Sequence, residues 1–295
     1  MPTDPDDGRT LDLQALRRWP LPPLPEEADK EVRGRVVVIA GSREIPGAAV
    51  LAGTAALRAG AGKLLIATAA SVAVPMALRM PEARVIGLPE TADGGFHLDG
   101  VALLGESLRS ASAVVIGPGM MDEEATCRFV TALLPALKDC SVVLDASAMD
   151  VVGSQDRFDA KVLLTPHAGE MAHLTGQSKE HIQAEPHAVA RAAAQGWNAL
   201  VALKGATTWI ASPDGTLWRH EGGRSGLGTS GSGDTLAGVI GGLAARGAPL
   251  AQAAAWGVVL HAQAGARLSD RLGPVGFLAR ELPQEMLAVL TSLQA

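Results

Sequence analysis

The chain has 295 residues, of which 47% are hydrophobic, so it can bury a large core as one large domain or as two small ones. Its net charge of −6 comes from interspersed acidic and basic side chains, with no basic run longer than Arg17–Arg18, which argues against nucleic acid or an anionic membrane as a partner. The two cysteines, Cys127 and Cys140, lack metal-ligating neighbours, and MPTDPDDGRT lacks the basic flank and apolar core of a signal peptide. No uncharged apolar run reaches the roughly 18 residues of a membrane span. We therefore expect a soluble, cytoplasmic protein.

After a polar N-terminal segment, the first two thirds of the chain alternate between apolar runs and stretches rich in alanine and leucine. Residues 1–30 are polar and rich in proline, which predicts an arm that precedes the fold. From Arg35 onwards, apolar runs recur that are mostly continuous, as expected of strands buried on both faces of a sheet. These runs are Val36–Ala40, Lys63–Ala67, Ala113–Ile116, Ser141–Leu144, Lys161–Leu164 and Leu200–Leu203. The stretches between them, such as Ala48–Ala59, Glu124–Leu137 and Pro186–Ala194, are rich in alanine and leucine and are typical of helices.

The last third of the chain does not continue this alternation of strands and helices. Thr207–Ala211 and Thr216–His220 are separated by the turn sequence at Ser212–Gly215, which predicts an antiparallel hairpin. Three later stretches have a helical pattern: Thr235–Ala245, Leu250–Leu268 and Arg280–Leu293. The alternation of strands and helices predicts a single α/β domain over residues 31–295, with a mostly parallel central sheet covered by helices on both faces.

Open α/β sheets bind ligands at the carboxyl ends of their strands, so the loops that follow the apolar runs are the candidates for a site. AGSREIPGAA at 40–49 is a glycine-rich turn before a helix, but it lacks the GxGxxG spacing of a dinucleotide fold. GPGM at 117–120 is a similar tight turn. Either turn alone is ordinary loop chemistry. Three more loops follow apolar runs, DASA at 145–148, TPHAGE at 165–170 and KGATT at 204–208, and five such loops on one sheet edge predict a pocket.

TPHAGE at 165–170 places Thr165 and His167 before a predicted helix that carries Glu170. Helix capping by Thr165 with a nearby acid explains part of this motif but does not require a histidine. His167 is therefore either a structural residue or a hydrogen-bonding partner of a polar substrate.

KGATT at 204–208 follows another buried run. A lysine that leaves a strand at this edge can reach a phosphate, and the small residues after it leave space for a nucleotide. The alternative is a lysine in a hairpin turn whose charged end extends into solvent.

SGLGTSGSGDTLAGVIGGLAARG at 225–247 places glycines directly before Asp234 and a helix that is predicted to begin near Thr235. The unpaired N–H groups at a helix N-terminus attract phosphate, and glycines allow it to approach closely. Asp234 could then take a proton from a hydroxyl that attacks this phosphate. The alternative is a glycine loop in which Asp234 is an ordinary N-cap.

In this order, GSREIPGAAVLAGTAALRAGAG, VVIGPGM, LTPHAGEM, LKGATTWI and GLGTSGSGDTLAGVIGGL resemble the ADP/ATP-dependent NAD(P)H-hydrate dehydratases of the ribokinase-like superfamily. The resemblance covers about residues 31–295 and implies a ribokinase-like α/β fold. It implies repair of the S-epimer of hydrated NADH or NADPH by phosphorylation of the added hydroxyl and loss of phosphate, with ADP, which gives AMP, favoured over ATP as the donor. It further implies Mg²⁺ that arrives with the nucleotide, and a homo-oligomer, commonly a tetramer. No dedicated metal cluster is visible in the sequence.

The resemblance also implies roles for individual residues. Asp234 matches the acid of the GxGD motif and is the base toward the substrate hydroxyl, while the N–H groups of Gly231, Ser232 and Gly233 form the anion hole for the transferring phosphoryl group. The positions that match nucleotide-binding residues are Lys204, Gly205, Ala206, Thr207, Thr208 and Gly233. The positions that match substrate-binding residues are Ala48, Gly119, His167 and Asp234.

One departure and two other functions are also considered. Ser147, in DASAMD at 145–150, stands where the family usually has Asp, which removes one carboxylate from the expected pocket. A ribokinase-like kinase of a small alcohol, such as a vitamin precursor, would use the same Asp234 and anion hole but release a stable phosphorylated product. A catalytically silent nucleotide-binding paralogue is the other alternative, although a binder needs no general base and this chain retains Asp234.

Overall fold

The structure is a computed structural model that describes residues 8–25 and 27–294, so residues 1–7, 26 and 295 lie outside it. The strands are β1 Arg9–Thr10, β2 Arg35–Ile39, β3 Lys63–Ala69, β4 Ala83–Leu88, β5 Ala113–Ile116, β6 Ser141–Leu144, β7 Lys161–Leu164, β8 Leu200–Leu203, β9 Thr207–Ala211 and β10 Leu217–Glu221. Within the described residues they form one ten-stranded sheet in the order β1-β10-β9-β8-β7-β6-β5-β2-β3-β4. Only β9 runs antiparallel to its described neighbours, β8 and β10. The predicted mostly parallel sheet and the predicted hairpin are therefore confirmed.

Helices cover both faces of this sheet. They are α1 Leu13–Arg18, α2 Gly47–Arg58, α3 Ala73–Arg79, α4 Gly100–Arg109, α5 Glu123–Leu133, α6 Ala168–Thr175, α7 Lys179–Ala184, α8 Pro186–Trp197, α9 Ser232–Ala245, α10 Leu250–Leu272 and α11 Leu282–Gln294. Alternate residues of β2 show why the apolar runs are continuous. Val36 and Val38 pack on the face that α2, α9, α10 and α11 cover, whereas Val37 and Ile39 pack on the face that α4, α5 and α8 cover.

Close packing of α9 against α2 fixes the position of α9. Gly238 and Gly242 lie one turn apart in α9, and a Cβ atom at either one would overlap the backbone of Ala52 or Ala56 in α2. Only glycine allows the two helices to approach this closely. The N-terminus of α9 is therefore held at the carboxyl edge of the sheet.

The N-terminal segment is part of the fold. Where the sequence predicted an arm over residues 1–30, β1 pairs in parallel with β10, and Leu16 of α1 is buried in the core. Trp19 stacks on Trp218, with ring centroids 5.9 Å apart, and its carbonyl oxygen accepts a hydrogen bond from Trp256 Nε1 at 2.8 Å. Burial of these apolar side chains stabilises the segment in spite of its prolines. The arm prediction is therefore wrong for the residues from Arg9 to Trp19, and residues 1–7 of that prediction lie outside the described part.

The sequence analysis missed β4, an edge strand that is only partly buried and so lacks a continuous apolar run. No helix in the described ranges is long and apolar enough to cross a membrane.

Candidate active site

A cleft of 670 Å³ opens at the carboxyl edge of the sheet, where the sequence predicted a pocket. Its polar wall is formed by Asp145 after β6, Lys204 after β8, and Gly233 and Asp234 at the start of α9. The opposite wall comes from β10, the segment after it and α10, and includes the apolar residues Leu227, Val258 and Ala262 together with His220 and His261. The cleft thus combines an apolar surface with a few converging polar groups, as small-molecule sites usually do.

The N-terminus of α9 presents its backbone N–H groups to this cleft. Gly231 is the N-cap, with a φ of 86°, and no side chain caps the helix. The N–H of Ser232 donates to the Thr229 carbonyl oxygen at 3.2 Å, whereas the N–H groups of Gly233 and Asp234 have no partner among the described residues. Of the N–H groups that the sequence assigned to an anion hole, that of Ser232 donates within the protein, whereas those of Gly231 and Gly233 have no partner among the described residues. The anion hole itself stays a prediction, and the N–H of Asp234 is a further candidate for it.

Asp234 is the third residue of α9, so its interpretation as an ordinary N-cap is wrong. Burial raises the pKa of its carboxyl group to about 6, the charge of Asp145 adds to this rise, and Lys204 opposes it. A carboxylate with a pKa near neutrality is suited to accept a proton from a hydroxyl.

Lys204 is held by carboxylates inside the cleft. Its Nζ lies 3.2 Å from Asp145 Oδ1 and 3.7 Å from Glu170 Oε2, and its side chain is 21% exposed. Burial alone would lower the pKa of Lys204, but Asp145 and Glu170 outweigh burial and raise it, so the ammonium group stays charged. The interpretation of Lys204 as a lysine that extends into solvent is therefore wrong.

Asp145 is the main residue that the sequence analysis missed. The hydroxyl of Thr165 donates to Asp145 Oδ1 at 2.6 Å, and both residues are buried. A Cβ atom at Gly233 would stand 3.9 Å from the other oxygen, Oδ2, which has no hydrogen-bond partner among the described residues. The signal was an acid directly after a buried strand, in DASA, but its contacts with Lys204 and Thr165 come from neighbouring strands and depend on the fold.

His167 caps α6. Its Nδ1 accepts a hydrogen bond from the N–H of Glu170 at 3.0 Å, and the Glu170 carboxylate accepts one from the N–H of His167 at 2.7 Å. Capping by Thr165 is therefore wrong, since the N-cap is His167 itself. The His167 side chain still borders the cleft, so a substrate contact remains a prediction.

The positions predicted from KGATT divide between two cavities. Lys204, Gly205, Ala206 and Thr208 line the cleft, whereas Thr207 lines a second cavity of 820 Å³ next to it. Lys204, Gly205 and Ala206 border both cavities. The motif therefore forms the partition between them, and its role in nucleotide binding remains a prediction.

Ala48 and Gly119 lie close together but do not line either cavity. A Cβ atom at Gly119, whose φ is 66°, would stand 2.6 Å from Ala48 Cβ, so only glycine fits there. Ser147 donates to the Met120 carbonyl oxygen at 3.4 Å. These contacts join the start of α2 to the loops after β5 and β6. A direct contact of Ala48 or Gly119 with substrate stays a prediction.

No group of three or more His, Cys, Asp or Glu side chains in residues 8–25 and 27–294 is placed to hold a metal ion.

Comparison with known proteins places this cleft in a family. Residues 36–287 match the family model of the NAD(P)H-hydrate dehydratases. An ADP-dependent (S)-NAD(P)H-hydrate dehydratase of Xanthomonas campestris is 50% identical over 289 residues, which cover 97% of each chain. A bifunctional NAD(P)H-hydrate repair enzyme of Moorella thermoacetica is 37% identical, and the match covers 97% of this chain and 55% of that protein.

A solved structure has the same fold. The ADP/ATP-dependent NAD(P)H-hydrate dehydratase of Bacillus subtilis, co-crystallised with ATP and Mg²⁺, superposes with a TM-score of 0.83 at 30% identity. The match covers 97% of this chain and 99% of that one. The ribokinase-like fold is therefore confirmed, and the chain belongs to the NAD(P)H-hydrate dehydratase family.

Proposed function

We propose that this chain catalyses the nucleotide-dependent dehydration of the S-epimer of hydrated NADH or NADPH. The observation that carries the proposal is the N-terminus of α9, where two unpaired N–H groups, Asp234 and Lys204 converge on one cleft. An anion hole, a cation and a base are the parts that phosphoryl transfer to a hydroxyl requires. Relatives that match nearly the whole chain are named as dehydratases of this substrate.

The chemistry begins with a poor leaving group. Hydroxide does not depart readily from the hydrated nicotinamide ring, but phosphate does. Asp234 takes the proton of the ring hydroxyl, and the hydroxyl oxygen attacks the terminal phosphorus of the nucleotide. The bond from that phosphorus to the leaving nucleotide oxygen breaks. Donation from the ring nitrogen then expels phosphate, and loss of a proton restores the double bond. With ADP as donor, the products are AMP, phosphate and NADH or NADPH.

The remaining residues bind and orient the reactants. The N–H groups of Gly233 and Asp234 receive the transferring phosphoryl group, and Lys204 neutralises part of its charge. Asp145 and Glu170 hold the Lys204 ammonium at this place. The apolar residues of the opposite wall offer a surface for the nucleobase.

Mg²⁺ fits this site as a companion of the nucleotide. The free oxygen of Asp145 is a hard oxygen donor at the edge where phosphate would lie, which suits Mg²⁺ that keeps most of its water and phosphate ligands. The ion would neutralise charge on the phosphates. Co-crystallisation of the Bacillus subtilis relative with ATP and Mg²⁺ supports this assignment.

We also propose ADP as the preferred donor, the cytoplasm as the location and a homo-oligomer, with the tetramer as the first assembly to test. The names of the Xanthomonas and Neisseria relatives, which specify ADP, support the first of these. Exposed Val74 and Leu78 on α3 lie next to the edge strand β4 and offer an apolar face for a second copy. Light scattering of the purified chain tests the assembly.

The function is tested by mixing the purified chain with the S-hydrate of NADH, Mg²⁺ and either ADP or ATP. We expect the near-ultraviolet absorbance of reduced nicotinamide to return, with one AMP formed per NADH when ADP is supplied. A stable phosphorylated product without recovered absorbance would instead indicate a kinase. Nucleotide binding with no turnover of any kind would indicate a silent binder.

A further inference from the structure

A histidine from a neighbouring helix contacts the first turn of α9. His261 of α10 places its Nε2 2.9 Å from the Ser232 hydroxyl oxygen and 3.1 Å from the Ser232 carbonyl oxygen. Both side chains are buried and both border the cleft. The family resemblance assigned no role to His261, and no helical or strand periodicity links it to Ser232.

The contacts also indicate which ring nitrogen carries the proton. Burial lowers the pKa of His261 to about 4; the hydrogen bond with the Ser232 backbone opposes this shift and the charge of Lys204 adds to it, so the ring is neutral near neutral pH. A carbonyl oxygen can only accept a hydrogen bond, so the contact with the Ser232 carbonyl requires the N–H on Nε2. The hydroxyl oxygen of Ser232 then also accepts from this N–H, which leaves its own hydrogen free to donate.

Few other hydrogen bonds hold this turn, although α9 as a whole packs closely on α2. No side chain caps α9, and within the described residues the other hydrogen bonds of its first turn run from the Ser232 N–H to the Thr229 carbonyl oxygen and from the Thr235 N–H and hydroxyl to the Gly231 carbonyl oxygen. Gly231, at a φ of 86°, allows wide backbone freedom. The His261 contact therefore connects the start of α9, which follows a glycine, to the neighbouring helix α10.

We propose that His261 is a positioning residue that fixes Ser232, so that the Ser232 hydroxyl and the N–H groups after it face the transferring phosphoryl group. The inference rests on the proposed phosphoryl transfer at this site. A misplacement of about 1 Å at such a turn lowers turnover by about a hundredfold, which sets the scale of the expected effect.

The test compares His261→Leu, His261→Gln and Ser232→Ala in the dehydration assay. We expect His261→Leu and Ser232→Ala each to lower kcat by about tenfold to a hundredfold with a smaller change in KM for ADP. The kcat of the double variant should be no lower than that of the more impaired single variant, because each substitution breaks the same His261–Ser232 contact. Glutamine can place an amide N–H near Ser232, so His261→Gln should recover most of kcat.

A matched control separates positioning from general stability. Gln252 is buried in the same helix, but its amide donates to the carbonyl oxygens of Trp19 and Pro20, away from the cleft. Gln252→Leu should lower Tm and leave kcat unchanged.

Three results would overturn the proposal: wild-type kcat in His261→Leu, losses that multiply in the double variant, or a kcat loss in Gln252→Leu as large as in His261→Leu. If His261→Leu does not fold, His261→Asn replaces it, because asparagine is too short to reach Ser232; equal kcat in His261→Asn and His261→Gln would then overturn it. A wild-type chain without dehydratase activity would refute the proposed function itself. The variants would then be compared by ADP binding, where a positioning role for His261 predicts weaker binding in His261→Leu than in His261→Gln.

Discussion

Helices α6 and α9 begin at the same edge of the sheet and border the same cleft, but their first turns are built differently. In α6, the side chains of His167 and Glu170 satisfy two N–H groups at the helix start. In α9, the N-cap is Gly231, no side chain caps the helix, and the N–H groups of Gly233 and Asp234 stay unpaired among the described residues. Side chains cap the α6 terminus, although the N–H groups of Ala168 and Gly169 also lack a partner among the described residues, whereas no side chain caps the α9 terminus and its free N–H groups face the cleft beside a buried acid.

The acidic side chains in the first turns of α6 and α9 also differ in their surroundings. Glu170 in the first turn of α6 lies 3.7 Å from the Lys204 ammonium and helps to hold it. Asp234 in the first turn of α9 is buried, and the pKa of its carboxyl group is raised to about 6. Burial of an acid beside another acid costs stability, which is typical of residues kept for chemistry. This difference supports the proposal that the start of α9 takes part in catalysis, whereas the start of α6 is capped by its own side chains.

The largest expected effect comes from the acid of α9. Asp234→Asn should lower kcat by about a hundredfold to ten-thousandfold, because the amide cannot accept the hydroxyl proton. Nucleotide affinity, measured by calorimetry, should change by less than about threefold, since Lys204 and the N–H groups remain. Unchanged turnover in this variant would refute the assignment of Asp234 as the base.

Lys204 connects the two helix starts, so its removal should affect binding more than chemistry. Lys204→Ala should raise the Kd for ADP by about tenfold to a hundredfold, the size of a lost charge-assisted contact. The matched control is Lys138→Ala, at an exposed lysine that pairs with Asp159 outside the cleft. Equal Kd values for the two variants would show that Lys204 does not contact the nucleotide.

The buried charge of Asp234 should also appear in stability. Its folded pKa of about 6 exceeds the ordinary value of 3.8, so the folded protein holds this proton more tightly than the unfolded chain does. The residue's contribution to stability therefore falls as pH rises from about 4 to about 6, and it stays low above that range. Asp234→Asn should raise the free energy of unfolding by about 1–2 kcal/mol above this window. Urea unfolding at several pH values checks this, and a difference that does not change with pH would contradict it.

The smallest effect is expected at the start of α6. His167→Ala should lower the free energy of unfolding by about 1 kcal/mol through loss of the cap, whereas His167→Asn, which can still cap, should stay close to wild type. If His167 also contacts the substrate, His167→Asn will keep its Tm but raise KM for the hydrate. Wild-type KM in a stable His167→Asn variant would limit His167 to its capping role.

Local patterns made much of this molecule predictable. Six apolar runs gave strands within two residues of their observed ends, because strands buried on both faces leave continuous runs such as Val36–Ala40. The edge strand β4 and the N-terminal β1 and α1 lack that pattern, since they are partly exposed or lie among prolines. Their structure depends on tertiary contacts such as the stacking of Trp19 on Trp218.

In the candidate site, too, local sequence indicated some of the residues but not the contacts between them. Lys204 and Asp234 were found from loops that follow strands or precede a helix, where position alone indicates a ligand edge. The pairing of Lys204 with Asp145 and the contact of His261 with Ser232 join residues that lie 59 and 29 positions apart. Such contacts exist only once the strands and helices are arranged, so no local pattern contained them.

The most direct test of phosphoryl transfer at α9 follows the oxygen atom that leaves the substrate. The S-hydrate of NADH is prepared with ¹⁸O in its added hydroxyl and converted with ADP, and the phosphate released is analysed by mass spectrometry. If the hydroxyl is phosphorylated before it departs, each phosphate carries one ¹⁸O atom. Recovery of the label in water, with unlabelled phosphate, would contradict the mechanism.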